Sequence, residues 1–548
     1  MTYTIEKVTT LIGARRYGDN DTNIGFILTD SRSLCFPEET LFFALKSERN
    51  DGHNYIPELY RRGVKNFVVT DVPKGYASDY PEANFLKVVN TLEALQRLAE
   101  RHRDEFNIPI VGITGSNGKT MVKEWLYQLL SPSMFVTRSP RSYNSQIGVP
   151  LSVWLMNEQT QVGVFEAGIS QPGEMLALRD IIQPTIAVLT NVGAAHQENF
   201  SSMEEKCREK LILFHDAETI VYDGDDELVT KTIAEYQDFK GEKLFWSQKN
   251  AEAPFYVKSI EKQQSVTVIT YIYKGEEDSF SIPFIDDASI QNSIVCAVVA
   301  SKLGLSAEDI DKRMSTLEPV AMRLEVKVGQ HGCTLINDSY NSDINSLDIA
   351  LDFMNRRPDH RGRRHTLILS DIFQSGETPE QLYKEVSDLA RKRGVVKFIG
   401  IGPELCKQSD EIQIHEKFFF HNVEEFIDSE VFKSLRDEVI LLKGARQFGF
   451  DQLTELLVQK VHETTLEVNL NAVVANLNYY RAFMKPETKL VCMIKADGYG
   501  AGAVEIAKTL QDHRVDYLAV AVADEGVTLR KNGITSNIMI MNPEMTAF

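Results

Sequence analysis

The sequence predicts a multidomain α/β protein in which buried parallel strands alternate with amphipathic helices. Short apolar runs at residues 110–113, 162–165 and 185–189 are separated by helical patterns, which is the rhythm of βαβ units. The chain has 548 residues, more than one hydrophobic core usually contains, so we expect about three or four domains. A glycine-bearing loop after the first of these strands indicates that one domain binds a nucleotide.

The composition is that of an ordinary globular protein and argues against two classes of partner. Hydrophobic residues make up 43% and charged residues 25% of the chain, so extended disorder is not expected. The formal net charge of -19 repels nucleic acids and anionic bilayers at long range. The six cysteines form no C-x-x-C pair, and the N-terminus lacks the apolar stretch of a signal peptide. We therefore expect a cytoplasmic protein without nucleic-acid partners or membrane insertion.

Four regions follow one another along the chain. The first region, residues 1–88, mixes strand-like runs with turns and predicts a small α/β module. The central region, residues 89–318, predicts a parallel sheet, to which the alternating pattern of residues 248–287 adds antiparallel strands. The third region, residues 319–460, predicts a separate doubly wound, Rossmann-like domain. Its strands are expected at residues 366–369, 396–401 and 439–442, and the first region has a strand pattern at 65–70.

The fourth region, residues 461–548, is called the tail and restarts the β/α pattern. Its strands are expected at residues 465–470, 490–494, 517–522 and 537–541. These repeats match the opening of a (β/α)8 barrel, which needs about 250 residues to close. The tail is therefore expected to be an incomplete barrel.

The glycine-bearing loop predicts a phosphate site. It comprises Gly115, Ser116, Asn117, Gly118, Lys119 and Thr120, and the helix after it has apolar residues at helical spacing. Main-chain amides and the helix dipole at such a junction favour phosphate, while Lys119 would neutralise the β- and γ-phosphates and the Thr120 hydroxyl would ligate Mg²⁺. The loop is a shortened G-x-x-G-K-T form, because Ile113 stands where the general pattern has its first glycine. A purely structural glycine turn is the alternative.

Three segments in this order resemble the Mur ligase family. Thr114–Thr120 resembles the family's ATP loop, Val164-Phe-Glu-Ala-Gly168 its strand ending in a metal-binding glutamate, and Thr190-Asn-Val-Gly-Ala-Ala-His196 its T-N-V-x-x-A-H motif. The resemblance implies that Glu166 and His196 are ligands of Mg²⁺. It also implies a three-domain ligase with a UDP-binding first domain and an ATP-binding central domain. Judged by itself, His196 is equally well explained as a structural histidine.

Further matches to Mur ligase motifs add residues to the nucleotide and metal sites that the resemblance implies. The family's carbamylated lysine, which bridges toward a second metal ion, corresponds to Lys210. Lys206 and Lys210 share one helix face, and ordinary surface lysines there would be solvated. Asn292 fits the asparagine that contacts adenine, and Arg323 fits the arginine that reaches the nucleotide across the domain interface. Their neighbours depart from the family at Ala288, Ser289, Ala321 and Met322.

Asn337-Asp-Ser-Tyr-Asn341 resembles the D-D-S-Y-N signature of the family members that add D-alanyl-D-alanine to UDP-N-acetylmuramoyl-tripeptide. The implied reaction phosphorylates the tripeptide carboxylate with ATP and joins the acyl phosphate to the dipeptide amine, in peptidoglycan precursor synthesis. Asp343 and Ile344 replace the Asn-Pro that commonly follows. The implied substrate contacts are Ser31, Arg32, His53, Ser142, Asn144, Asp338, Tyr340, Asn341, Lys443 and Arg446. For Lys443 and Arg446, solvated surface charges are the alternative.

In the tail, the stretch Val491–Gly500 resembles the K-A-N-A-Y-G-H-G motif of the alanine racemase family. This implies that Lys495 forms the Schiff base with pyridoxal 5′-phosphate and that Tyr499 contacts its phosphate. Asp497 and Ala501 depart from the motif. The residues that complete a racemase would lie beyond the printed sequence, so we interpret the chain as a truncated ligase–racemase fusion whose tail has no activity by itself.

Two other function classes stay open at this point. The departures at Ser289, Met322 and Asp343 suit a non-catalytic scaffold that keeps the fold, whereas the phosphate loop and Glu166 oppose it. A nucleotide-dependent switch would turn over ATP without an acceptor. The ligase and the switch can be distinguished by testing whether phosphate release from ATP requires an amine acceptor.

Overall fold

The computed structural model describes residues 2–34, 36–47, 50–140, 142–193, 199–235, 239–263, 265–318, 324–339, 343–356, 362–372, 378–445, 448–459, 468–481, 483–485 and 488–542. Among these residues, no helix is long and apolar enough to cross a bilayer. The protein is an α/β protein built on several separate sheets, with a small parallel sheet at its C-terminal end.

The first region is built on a sheet in the order β2-β7-β6-β5-β4. Strands β4 to β7 pair in parallel and β2 pairs antiparallel to β7. Leu41 and Phe43 of β5 face one core, whereas Phe42 faces the other, as the period of a strand requires. The elements are β1 Tyr3–Thr4, α1 Ile5–Ile12, β2 Arg15–Tyr17, β3 Asn23–Ile24, β4 Phe26–Leu28, β5 Thr40–Phe43, α2 Ile56–Arg61, β6 Asn66–Val69, α3 Tyr76–Asp79 and β7 Asn84–Lys87.

A buried histidine joins the first region to the central one. His102 lies on the connecting helix α4, Thr91–Arg103, and its Nδ1 accepts a hydrogen bond from the Tyr3 hydroxyl at 2.8 Å. Its Nε2 donates to the carbonyl oxygen of Met156 at 3.1 Å. Burial lowers the pKa of His102 to about 4, so the ring is neutral at neutral pH and can make both contacts. The indole of Trp154 adds a bond to the carbonyl of Gly25 at 3.0 Å.

The central region contains one sheet in the order β16-β15-β14-β13-β12-β11-β8-β10-β9. All neighbours from β9 to β14 pair in parallel, and β15 and β16 add antiparallel strands, as the alternating pattern predicted. Its strands are β8 Ile110–Thr114, β9 Val136–Arg138, β10 Val162–Glu166, β11 Ile186–Leu189, β12 Thr219–Asp223, β13 Glu242–Ser247, β14 Phe255–Lys262, β15 Thr267–Tyr273 and β16 Glu276–Ile282. Its helices are α5 Lys119–Leu130, α6 Gly148–Val153, α7 Glu174–Ile182, α8 Met203–Leu211, α9 Glu227–Glu235, α10 Asp287–Lys302 and α11 Ala307–Met314.

The third region has a second sheet in the order β17-β18-β22-β19-β20-β21. Apart from β17, which is antiparallel, the neighbours pair in parallel and buried cores cover both faces. This is the doubly wound arrangement that the sequence predicted. The elements are β17 Glu325–Val328, β18 Thr334–Asp338, α12 Ile344–Arg356, β19 Arg364–Ser370, α13 Pro379–Lys392, β20 Lys397–Ile401, α14 Pro403–Lys407, β21 Glu416–Phe420, α15 Val423–Ile427, α16 Glu430–Lys433, β22 Glu438–Lys443 and α17 Phe450–Leu457.

The tail forms a parallel sheet in the order β23-β24-β25, flanked by helices. The strand expected at residues 465–470 is wrong at its end, because Leu470 begins a helix. The Asn469 side chain accepts a hydrogen bond from the Ala472 amide and caps that helix, which overrides the strand-like pattern. Residues 465–467 lie outside the described residues. The elements are α18 Leu470–Arg481, β23 Val491–Met493, α19 Lys495–Tyr499, α20 Ala503–Asp512, β24 Tyr517–Val520, α21 Ala523–Lys531 and β25 Asn537–Ile540.

Candidate functional site

The glycine-bearing loop connects β8 to α5, and both of its glycines are required by their surroundings. Gly115 and Gly118 have φ of 144° and 83°, which residues with a Cβ rarely adopt. A Cβ on Gly115 would lie 2.0 Å from Thr190 Oγ1, and one on Gly118 would lie 2.5 Å from Asn292 Oδ1. The glycines therefore bring the loop against Thr190 and Asn292, and a generic glycine turn would not need this close approach.

The loop is also held by the end of the neighbouring strand β11. The Asn117 amide donates to Asn191 Oδ1 at 2.9 Å, and the Ser116 amide donates to the Asn191 carbonyl at the same distance. Thr190 Oγ1 donates to the Asn117 carbonyl at 2.5 Å. Helix α5 starts at Lys119 without a side-chain cap. The first-turn amides of this helix are therefore available to an anion.

Lys119 curls back over the loop. Its Nζ donates to the carbonyl oxygens of Gly115 at 2.7 Å and Ser116 at 3.1 Å. A lysine in this position needs only a rotation of its flexible stem to reach a phosphate bound by the loop. The structure thus places the ammonium where the loop motif requires it.

A buried carboxylate lies beside the end of the loop. The Thr120 hydroxyl donates to Glu166 Oε2 at 3.1 Å and lies 3.4 Å from Ser142 Oγ. Glu166 is fully buried at the end of β10, and its Oε1 lies 3.1 Å from Lys123 Nζ. Within the described part of the chain, no group donates a hydrogen bond to this Oε1. The Lys123 ammonium still lies beside Oε1 as its counter-charge, so a further cation at the loop would be bound through Oε2, the oxygen next to Thr120.

These oxygens fit the implied magnesium ion. Thr120 and Glu166 offer hard oxygen ligands next to the phosphate loop, which is the donor type that Mg²⁺ prefers. No three His, Cys, Asp or Glu side chains converge among the described residues. A magnesium ion there would therefore depend on nucleotide phosphates and water for much of its coordination. His196, the other expected ligand, lies outside the described residues.

A cavity of about 440 Å³ lies over the loop, between the central and third regions. Its walls combine Asn144, Lys210 and Asn292 of the central region with Asp338 and other groups of the third region. The remaining lining residues include Gly115–Met121, Ser145, Gly168, Ile169, Ser170, Asn191, Asp287, Ala288, Gln291, Leu324, Ser346 and Ile349. The structure thus brings residues from distant segments of the sequence around one space. Arg323, Tyr340 and Asn341 lie outside the described residues.

Lys206 and Lys210 are buried on α8, with only 1% and 3% of their surface exposed, so the reading as solvated surface lysines is wrong. Lys206 Nζ donates to the Gly193 carbonyl at 2.5 Å, next to the loop-holding strand end. Burial, reinforced by the charges of Lys119 and Lys206, lowers the pKa of Lys210 well below its usual range. Burial also lowers the pKa of Lys206 to about 8.

On the other side of the cavity, Lys443 and Asp338 form a buried ion pair. They lie at the ends of the adjacent strands β22 and β18, and Lys443 Nζ is 2.6 Å from Asp338 Oδ2. Because Lys443 is fully buried, its interpretation as a solvated charge is wrong. The pair orients the Asp338 carboxylate, which itself lines the cavity. Arg446 lies outside the described residues.

A second cavity, of about 820 Å³, opens on the first region. Ser31 and Arg32 line it, and the Arg32 guanidinium pairs with Asp30 Oδ2 at 2.6 Å, which lowers the pKa of that carboxyl. The His53 ring is hydrogen-bonded to other residues of the first region. Its Nδ1 donates to Asp51 Oδ1 at 2.7 Å, and its Nε2 accepts from the Thr70 amide at 3.1 Å. Both ring nitrogens thus hold Asp51 and Thr70 in place beside the cavity, and the substrate contact expected of His53 stays a prediction.

In the tail, Lys495 follows β23 at the carboxyl edge of the sheet, where barrel chemistry is usually located. The next residues, Ala496 to Gly498, make a left-handed turn with φ between 51° and 64°. Lys495 is exposed and Tyr499 is 63% exposed. Within the described tail, these side chains stand on an open surface and enclose no site that fits pyridoxal 5′-phosphate.

Sequence reasoning missed Lys123, Thr190 and Asn191. Lys123 follows Thr120 by one helical turn, so their shared face was a signal that could have been used. Thr190 and Asn191 belonged to a recognised motif, but their bonds to the loop depend on the pairing of β11 with β8. The local sequence does not specify that β11 pairs with β8.

Two protein families match the chain. Residues 113–300 match the Mur ligase middle domain and residues 468–547 the N-terminal domain of alanine racemase. A "UDP-N-acetylmuramoyl-tripeptide--D-alanyl-D-alanine ligase" of Bacillus subtilis is 29% identical over 371 residues, covering 66% of this chain and 77% of that protein. The protein of the same name from Escherichia coli is 24% identical, covering 83% of this chain and 98% of its own length.

Solved structures share the fold. MurF from Acinetobacter baumannii superposes with a TM-score of 0.72 at 21% identity, covering 83% of this chain and 99% of that one. MurF from Thermotoga maritima, in complex with ADP, gives a TM-score of 0.66 at 22% identity over 78% of this chain and 96% of that one. At these identities the structures support the fold of the ligase part alone.

Proposed function

We propose that the chain is an ATP-dependent ligase of the Mur type, whose residues 468–547 match the N-terminal domain of alanine racemase, and that it joins D-alanyl-D-alanine to UDP-N-acetylmuramoyl-tripeptide. The observation that carries the proposal is the cavity that places the phosphate loop opposite Asp338. Asp338 belongs to the segment that resembles the dipeptide-adding signature. ATP would thus meet the acceptor dipeptide at the interface of the central and third regions.

The residues around the cavity have separable roles in this reaction. The uncapped amides of α5 and the Lys119 ammonium bind the ATP phosphates and offset the charge that builds up as the tripeptide carboxylate attacks the γ-phosphorus. Thr120 and Glu166 would hold magnesium, which would neutralise the crowded phosphate oxygens when bound. ADP leaves, the dipeptide amine attacks the acyl carbon, and phosphate is released. Walls from two regions flank the cavity, and their closure over bound substrates would exclude water that hydrolyses an acyl phosphate.

Substrate recognition divides between the two cavities. We assign the UDP moiety to the first region, where Ser31 and Arg32 line an open cavity. Ser142 and Asn144 lie near the phosphate loop, and Asn144 packs against Gly168. We assign to both residues a contact with the peptide part of the substrate, because they lie beside the loop that would bind ATP. Asn292, beside Gly118, is placed to contact the nucleotide.

The reaction requires two substrates, and this provides the central test. In a buffer with magnesium and ATP, we expect phosphate release only when both the UDP-muramoyl-tripeptide and D-alanyl-D-alanine are present, with the pentapeptide product identified by mass spectrometry. L-alanyl-L-alanine is the matched acceptor control. Phosphate release that is indifferent to the dipeptide would favour the nucleotide switch, and no release with both substrates would favour the scaffold.

We also propose that Lys210 carries a carbamate. Its amine is enclosed at the cavity wall, and its lowered pKa favours the neutral form, which is the form that reacts with carbon dioxide. Protein kept in bicarbonate near neutral pH, with the carbamate then alkylated to trap it, should yield a peptide containing Lys210 whose mass is increased by one CO2 plus the trapping alkyl group. Lys312, an exposed lysine on α11, is the internal control and should remain unmodified. An unmodified Lys210 in a catalytically active sample would contradict the proposal.

A further inference from the structure

The tail packs against the ligase at the junction between its first and central regions. Two rings of the first region, Phe26 and Phe36, stack with centroids 4.0 Å apart. The guanidinium carbon of Arg481 lies 4.2 Å from the Phe36 ring centre, and that of Arg514 lies 5.4 Å from the Phe26 ring centre. Both distances are within the range of cation–π contacts. Two tail arginines therefore cover one aromatic pair.

These arginines belong to one rigid part of the tail. Arg481, at the end of α18, donates to the carbonyl oxygens of His513 at 2.8 Å and Arg514 at 2.9 Å. The loop between α20 and β24 is thereby tied to α18. Burial lowers the pKa of Arg514, which the nearby carboxylate of Glu39 in the first region partly offsets. Packing of the tail against the first region therefore removes the Arg514 guanidinium from water. A packed interface has this effect, whereas a flexible linker would leave the group solvated.

The same tail also contacts the central region. Asp512, two residues before Arg514, interacts electrostatically with Arg138 at the end of β9. In the segment between α21 and β25, a Cβ on Gly533 would lie 3.6 Å from Ser131 Cβ and 3.3 Å from the Ser131 carbonyl oxygen. Ser131 directly follows α5, the helix that starts at the phosphate loop. One tail surface thus contacts both regions.

We propose that the tail is a brace that fixes the first region against the central region. Arg514, in the loop between α20 and β24, lies near the Tyr3–His102 contact that joins these regions, since its charge contributes to lowering the pKa of His102. A fixed junction keeps the two cavities at a constant separation. This last consequence rests on the proposed function, whereas the brace itself does not.

The docking can be tested by a disulfide in the full chain. Ser131 Cβ and a Cβ on Gly533 would lie 3.6 Å apart, which is in the range found between the Cβ atoms of a protein disulfide. The two thiols of the double variant S131C/G533C can therefore form a disulfide. Oxidised glutathione should convert these thiols into one disulfide, releasing reduced glutathione, and peptide mapping should find residues 131 and 533 linked. The single variants S131C and G533C are the controls for the chain's own cysteines. Absence of this linkage in a folded double variant would overturn the docking.

A cysteine at Gly533 must adopt a φ of 81°, so a second measurement avoids this substitution. In the full-length R481A/R514A variant, amide hydrogen exchange should become about five- to tenfold faster in Phe26–Leu28, because both cation–π contacts are lost. Arg530 is a matched control, since it donates to the tail carbonyls of Ile534 and Ser536. R530A should leave exchange in Phe26–Leu28 unchanged. Equal exchange in all three proteins would overturn the brace.

Kinetics test the consequence for the substrate. If the brace fixes the cavity separation, R481A/R514A should raise KM for the UDP-muramoyl-tripeptide several-fold and leave KM for ATP unchanged, because ATP binds within the central region. Faster exchange together with unchanged KM would retain the brace and remove its role in substrate positioning. Absence of ligation in the unaltered protein would contradict the proposed function while the disulfide and exchange results still decide the brace.

Discussion

Replacing Lys119 with alanine is expected to reduce ligation by about 10²- to 10³-fold or more, because the substitution removes the positive charge that meets the terminal phosphates. The Nζ of Lys119 bonds to two loop carbonyls and the side chain is only partly buried, so the fold should persist. The measurement is phosphate release with both substrates, together with circular dichroism during thermal unfolding.

The exposed lysine Lys312 provides the control for this experiment. The Lys312→Ala variant should ligate and unfold like the unaltered protein, because its side chain is exposed on α11, a helix outside the cavity. Retention of most ligase activity in Lys119→Ala would contradict the role given to the loop. A large loss of thermal stability in the same variant would show that the lysine is needed for folding instead.

Replacing Lys123 with methionine is expected to destabilise the protein by about 3–5 kcal/mol, the usual cost of removing one partner from a buried ion pair. Lys123 and Glu166 are both fully buried with 3.1 Å between Nζ and Oε1, and Lys123 also donates to the Ser139 carbonyl at 2.9 Å. Methionine keeps much of the apolar stem but leaves the Glu166 charge without its buried counter-charge. Ligation should fall with stability, because Glu166 would lose its orientation.

The double variant Lys123→Met/Glu166→Gln separates stability from chemistry. Removing both charges should restore much of the stability lost in the single variant, because no uncompensated buried charge remains. Ligation should stay low, since the glutamine lacks the carboxylate proposed to hold magnesium. Denaturant unfolding and phosphate release measure the two effects. Recovery of full ligation in the double variant would show that Glu166 is a structural carboxylate.

Some residues of the candidate site could be identified from local sequence because their geometry is local. The loop from Gly115 to Thr120 needs only a strand, two glycines with positive φ and a helix start, and the structure has all three. The antiparallel addition to the central sheet was likewise predicted, because alternation along β14 to β16 is a property of each strand. The alternating pattern at residues 465–470 predicted a strand, but the Asn469 side chain caps a helix that begins at the next residue. Alternation alone was therefore not sufficient to identify a strand there.

The surroundings of other candidate residues come from distant parts of the chain, so local sequence could not specify them. Lys206 and Lys210 have the spacing of a solvated helix face, yet the segment carrying Gly193 buries one and the cavity wall encloses the other. His53 was expected to contact substrate, whereas Asp51 and Thr70 occupy both of its ring nitrogens. A lysine or histidine takes its role from the charges and donors around it, and these are set by packing.

The sequence by itself determined the α/β class, the phosphate loop and the order of the ligase motifs, since each is written in contiguous residues with a fixed spacing. Only the tertiary structure decided that Lys123 pairs with Glu166, that Lys443 pairs with Asp338, and that tail arginines cover Phe26 and Phe36. The physical reason is that ion pairs and cation–π contacts act over a few ångströms in space. Strand pairing and domain packing, which the local sequence does not specify, create that proximity.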